Sequence, residues 1–133
     1  MTFASGRFDP SGPPHSGLRS AFASLLERIA RKAHGIQSRA RVAAIEWIEP
    51  LMASGNWMPE LIEMAGGVNL FGDPGKHSPG MSWEEVQAKD PDVILVLPCG
   101  FDIERTRQEL PAMTERPEWG NLQAVRNRRV YIL

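Results

Sequence analysis

The run Asp92–Leu97, DVILVL, is the feature that most restricts how this chain folds. It is continuous, apolar and β-branched, too short for a core helix, and bounded by Asp90–Pro91 on one side and Pro98-Cys99-Gly100 on the other. A strand with one wet face alternates polar and apolar residues. An unbroken run fits a strand covered on both faces, as in a parallel sheet flanked by helices. Arg41–Trp47 (RVAAIEW) is a second run of this kind, and Arg129–Leu133 reads as a third strand.

Helical patterns separate these runs. Leu18, Phe22, Leu25, Leu26, Ile29, Ala30 and Ala33 recur at helical spacing, with Arg28, Arg31, Lys32 and His34 late in the segment and Gly35 as its stop. After the loop IEPLMASG, Asn56 is expected to cap a helix whose apolar face is Met58, Leu61, Ile62 and Ala65, with Pro59 in its first turn and Gly66–Gly67 at its end. Val68–Phe71 reads as a short strand, and GDPGKHSPG as a turn-rich loop.

Ser82 and Glu85 form a capping box, stapled by Met81 and Val86, and Asp90–Pro91 break that helix. Asp102 is expected to cap a helix with Ile103, Thr106, Leu110 and Met113 inward. Trp119, Leu122 and Val125 suggest further helical turns before Asn127. Strand and helix in alternation predict an α/β fold with a mainly parallel sheet and right-handed crossovers.

Composition narrows the function. A net charge of −1 and scattered basic residues argue against nucleic-acid binding or an anionic membrane reached by bulk electrostatics. A single cysteine, Cys99, excludes an internal disulfide framework and leaves the redox compartment open. No stretch approaches the roughly 18 apolar residues of a membrane span. Residues 1–17, polar and rich in Gly, Pro and Ser, read as a disordered lead-in without a secretory signal pattern; as written, the polypeptide would stay cytoplasmic.

In an open parallel sheet, ligands bind beyond the carboxyl ends of the strands. The loops Glu46–Trp57 and Pro98–Asp102 leave those ends and offer Glu46, Trp47, Asn56, Trp57, Cys99, Phe101 and Asp102. Grouped aromatic and polar side chains suit a large, flat, partly polar ligand. Each has a plainer explanation: core or hinge packing for Trp47 and Trp57, capping for Asp102, a small buried apolar group for Cys99. Glu46, at the end of an apolar strand, needs a partner or an open cleft. Cys99, His77 and Glu46 also hold the residue types for a nucleophile–base pair or a mixed N, S, O metal site, although no local signature or ligand spacing supports either.

The residues resemble a family. VAAIEWIEPLMASGNWMPELIEMAGG (Val42–Gly67), SWEEVQAKDPDVILVLPCGFD (Ser82–Asp102) and LQAVRNRRVY (Leu122–Tyr131) are similar to segments in the second lobe of ABC-importer substrate-binding proteins, of the vitamin-B12 and iron-siderophore type. The resemblance implies a Rossmann-like three-layer lobe over residues 39–133, truncated at its C-terminus, with residues 18–38 as the remnant of a long interlobe helix. It implies a periplasmic, non-catalytic protein without a cofactor, whose two lobes clamp a corrinoid or similar metal chelate and dock on an ABC permease.

By position, Glu46, Trp47, Asn56, Trp57, Cys99 and Phe101 would line the ligand cleft, the cobalamin branch being favoured. Glu84 would meet the permease, with Glu85 as second choice. Half a clamp has half a cleft, so the chain is expected to bind weakly alone, to pair with itself through exposed apolar surface, or to act as a cytosolic α/β binding module that has lost transport.

Overall fold

The computed structural model describes residues 16–35 and 37–133; the expected lead-in falls outside these except at its last two positions. The best runs of the sequence become the centre of one five-stranded sheet. Strand β1 (Arg41–Trp47) lies parallel to β4 (Val93–Val96), with Val42 opposite Val93 and Ile45 opposite Val96. Strand β5 (Val130–Ile132) extends the sheet parallel to β4. The far edge of β1 is shared by β3 (Val68–Asn69), parallel along its first residues, and β2 (Met52–Ala53), antiparallel along its last. The sheet is therefore mainly parallel, as expected, but IEPLMASG is not wholly loop: it turns back into β2. Two residues of strand are too few to leave a periodicity.

Alternation along β1 and β4 sends side chains to two apolar layers. Ala43, Ile45, Ile94 and Val96 face the larger core, which is completed by Trp83, Val86, Met113 and Leu122. These come from α3 (Trp83–Lys89), α5 (Pro111–Thr114) and the residue before α6 (Gln123–Arg126). Val42 and Ala44 face a smaller layer with Ile62 of α2 (Met58–Met64), and with half-buried Val93 and Leu95. Tyr131 and Leu133 remain exposed.

The helix expected from Leu18 runs as α1 (Ser16–His34) and ends before Gly35. Its apolar stripe is largely uncovered: Phe22, Leu25 and Ile29 are exposed, and among its described side chains only Leu26 and Ala33 are half-buried. Periodicity records which residues share a helix face; it does not say that the face is covered. The same correction applies to Leu61 on α2 and Ile103 on α4 (Ile103–Glu109), both exposed rather than inward.

The caps are mostly as read. In α3 the Glu85 N–H donates to Ser82 Oγ at 3.2 Å, and the Ser82 N–H donates to Glu85 Oε2 at 2.7 Å. Asp102 Oδ1 accepts from the Arg105 N–H at 2.7 Å and starts α4. Ser82→Ala removes one half of a reciprocal cap and is expected to lower stability by about 1 kcal/mol. Urea denaturation measures this, and a midpoint equal to wild type would show that the box is idle.

Asn56 is the exception. It takes a left-handed conformation (φ 53°), so the residue at the helix start is Trp57, whose side chain makes no capping bond. Asn56 is held instead by main-chain bonds, its N–H to the Lys76 carbonyl at 2.7 Å and its carbonyl from the Gly75 N–H at 2.8 Å. Asparagine tolerates this backbone better than most residues. The far end of α2 is tied by Glu63, which pairs with Arg39 and accepts from the Asn69 N–H at 2.9 Å. The Asn69 bond first, then Arg39, hold its carboxyl below the usual range.

Candidate ligand cleft

Because β1 and β4 are neighbours pointing the same way, the loops that leave them open side by side. Pairing with β1 continues past the end of β4: the Leu97 N–H donates to the Ile45 carbonyl at 2.9 Å, and the Cys99 N–H to the Glu46 carbonyl at 3.3 Å. Glu46, Asn56, Trp57 and Cys99 line one hollow of about 190 Å³, whose apolar walls are Met58 and Leu97. Trp47 and Phe101 line a second, of about 140 Å³, with Arg105 and Glu109 at its rim. All six cleft residues named from the sequence thus lie at the carboxyl ends of these two strands.

A larger hollow of about 390 Å³ lies between α1 and α2, beside Ala33, Arg39 and Glu63. It sits at the amino end of β1, where an open α/β sheet does not gather its ligand-binding loops.

Glu46 has the partner its position demanded. The Ser78 hydroxyl donates to Glu46 Oε2, and Ser78 Oγ accepts from the Gly55 N–H at 3.1 Å. This relay sets one carboxylate oxygen and joins the loop after β1 to the turn-rich segment. Ser78 left no signal in the sequence: it is 32 residues from Glu46, and one serine in a polar loop looks like any other.

Trp57 is 68% exposed, which removes core packing as its explanation. It stands at the lip of the hollow on a helix start fixed by Asn56. Trp47 is half-buried, donating from Nε1 to the Glu49 carbonyl at 3.0 Å and meeting the Phe101 ring at 5.3 Å between centroids, tilted 56°. Arg105 stacks 4.7 Å over the other ring, Phe101, while paired with Glu109 at 2.9 Å. Arg105, absent from the sequence reading, braces this aromatic pair. Trp83 and Trp119 pack edge-on in the core, centroids 6.1 Å apart, and are not part of the cleft.

Cys99 is exposed, not a buried apolar group. It shares its hollow with Glu46 but not with His77, which is exposed on the turn-rich loop. Among the described residues no group of three or more His, Cys, Asp and Glu is arranged to hold a metal ion. The reading of Cys99, His77 and Glu46 as a metal site is corrected accordingly. Its premise was residue type, and the fold keeps His77 out of the hollow that Glu46 and Cys99 share. No helix among the described residues is long and apolar enough to cross a membrane.

On α3, Glu84 and Glu85 are both exposed in the first turn. The Glu85 carboxylate is occupied by the capping box, whereas Glu84 makes no hydrogen bond or ion pair among the described residues.

Solved structures share this architecture. An ABC transporter substrate-binding protein from Listeria monocytogenes EGD-e superposes with a TM-score of 0.75 at 20% identity, over 89% of this chain and 46% of that one. S. aureus IsdE complexed with heme gives 0.73 at 22%, over 88% and 46%. The periplasmic vitamin B12 binding protein of Vibrio cholerae gives 0.62 at 24%, over 90% and 45%. At these identities the likeness is one of fold. The chain spans less than half the length of these structures. No curated protein matches it. The family model for periplasmic binding proteins matches residues 17–133, nearly all that is described here, and the chain belongs to that family.

Proposed function

We propose that this chain is the C-terminal ligand-binding lobe of an ABC-importer substrate-binding protein, non-catalytic, taking a corrinoid such as cobalamin. The observation that carries this is the exposed Trp57 beside Glu46 and Cys99, next to the Trp47–Phe101 pair, all at the carboxyl ends of β1 and β4. Aromatic faces exposed to water at a cleft lip lose little by receiving a broad, flat chelate and gain apolar contact. In the proposed division of the chain, α1 belongs to the interlobe helix and residues from 39 onward form the lobe. Glu84 is the permease contact, supported by its free carboxylate. The family places such proteins outside the cytoplasm, and we extend that location to this chain.

Calorimetric titration with cyanocobalamin tests the reading, with haem and a ferric hydroxamate siderophore as comparisons. One lobe supplies one wall of a clamp, so saturable but weak binding is expected, selective for cyanocobalamin. Trp57→Ala is expected to weaken it about tenfold or more while changing stability by no more than about 0.5 kcal/mol, because the ring is outside the core. Glu84→Ala should keep wild-type affinity and lose only permease-dependent uptake. Preference for haem or the siderophore would reject the corrinoid, and an unaffected Trp57→Ala would reject this cleft.

A further inference from the structure

Ser54 is 1% exposed, and its hydroxyl has no hydrogen-bond partner among the described residues. Buried polar side-chain atoms are nearly always paired, because an unmatched one gives up water and receives nothing in return. The residue follows β2, where its N–H donates to the Ala44 carbonyl at 2.8 Å. Ala53 is buried opposite Ile45, which belongs to the larger core, so alternation turns Ser54 to the other face of the sheet. There it lines the same hollow as Glu46, Asn56, Trp57 and Cys99.

The hollow's charge narrows what could satisfy that hydroxyl. Glu46 brings a carboxylate, and no Lys, Arg or His lines the hollow. One Glu46 oxygen is taken by Ser78, while Oε1 has no partner among the described residues. An anionic ligand group would meet like charge with no cation to offset it. A group that both accepts and donates, without charge, matches a hydroxyl donor beside a carboxylate acceptor.

We propose that this hollow recognises an uncharged carboxamide of the ligand, and that Ser54 is its specificity-determining residue. The Ser54 hydroxyl donates to the amide oxygen, and Glu46 Oε1 accepts from the amide N–H. This deepens the lobe-and-cleft reading and rests on it. It also separates ligand classes: corrinoids carry carboxamides at their edge, haem carries carboxylates.

The test uses the whole chain and Ser54→Ala. Amide NMR spectra are followed during titration with nicotinamide and, separately, nicotinate, alongside calorimetry with cyanocobalamin and thermal unfolding. In wild type, nicotinamide is expected to shift the Ser54 and Gly55 amides and the Trp57 indole, and nicotinate to leave them in place. Ser54→Ala should lower nicotinamide affinity about tenfold, the loss of one neutral hydrogen bond. Its thermal midpoint should stay level or rise, since the hydroxyl removed has no partner to lose.

A lowered midpoint with unchanged nicotinamide affinity would make Ser54 structural and overturn the proposal. So would equal response to nicotinate, or no response to either probe. Nicotinamide binding without cyanocobalamin binding would retain the amide site and reject the corrinoid. Cyanocobalamin binding that is indifferent to Ser54→Ala would do the reverse.

Discussion

Gly55→Ala is expected to disrupt the cleft and to destabilise the protein, although it adds a single methyl group. A β-carbon at residue 55 would lie 2.6 Å from the Lys76 carbonyl oxygen, 2.7 Å from the Ser78 nitrogen and 2.8 Å from the His77 carbonyl carbon. All three are main-chain atoms, so no side-chain rotation relieves the clash. The segment cannot simply retreat, because Asn56 holds it from both directions through Lys76 and Gly75. Overpacking of this kind costs roughly 1–3 kcal/mol.

The functional consequence should be larger than the stability loss. Displacing residues 76–78 moves the Ser78 hydroxyl from Glu46 and breaks the bond it accepts from the Gly55 N–H. On the proposed corrinoid reading, cyanocobalamin affinity should then fall by about tenfold or more, with an altered tryptophan emission. Gly80→Ala is the control, since its β-carbon would meet nothing within 4 Å. A Gly55→Ala protein with wild-type urea midpoint and wild-type affinity would show that the turn-rich loop does not brace the cleft.

Ile45→Ala should have the largest effect on folding. Ile45 is 0% exposed and packs in the larger core on β1, which is paired with a neighbour along both edges. Truncating a fully buried isoleucine loses transfer free energy and leaves a cavity, together about 2–5 kcal/mol. A domain of this size has only about 5–15 kcal/mol in hand, so the loss can be a third of it. Ile103→Ala removes a similar side chain from a position 51% exposed and should change stability by no more than about 0.5 kcal/mol. Urea denaturation of both variants checks the contrast; equal losses would mean that the helix beginning at Ile103 packs inward after all.

The contrast shows where reading the sequence succeeds. Ile45 and Ile103 were both expected inward, one from an unbroken β run and the other from helical spacing. An unbroken run is informative because a strand buried on two faces admits few polar residues, and Arg41–Trp47 was recovered to the residue. Helical spacing is weaker evidence. Three turns of apolar residues also describe a helix with an uncovered stripe, as Phe22, Leu25 and Ile29 demonstrate.

The candidate cleft divides in the same way. Its position was legible, because parallel neighbours open their loops on the same edge once the strands are known. So were Glu46, Trp57 and Cys99, which follow directly from strand ends. Ser78, Ser54 and Arg105 were not, because what marks them is a contact: a bond to a carboxylate 32 residues away, a burial without a partner, a ring beneath a guanidinium.

By itself, then, the sequence determined what is decided within a few residues: the strands β1 and β4, the capping box of α3, the Asp102 cap and the breaks at Gly35 and Asp90–Pro91. Each depends on interactions inside one or two turns, or on the apolar content of one short run. The tertiary structure alone decided which apolar faces are covered, that β2 folds back on β1, that Asn56 turns left-handed instead of capping, and that Glu46 meets Ser78. Those outcomes depend on which distant segments the fold brings within hydrogen-bonding and van der Waals range, and no spacing along the chain encodes that distance.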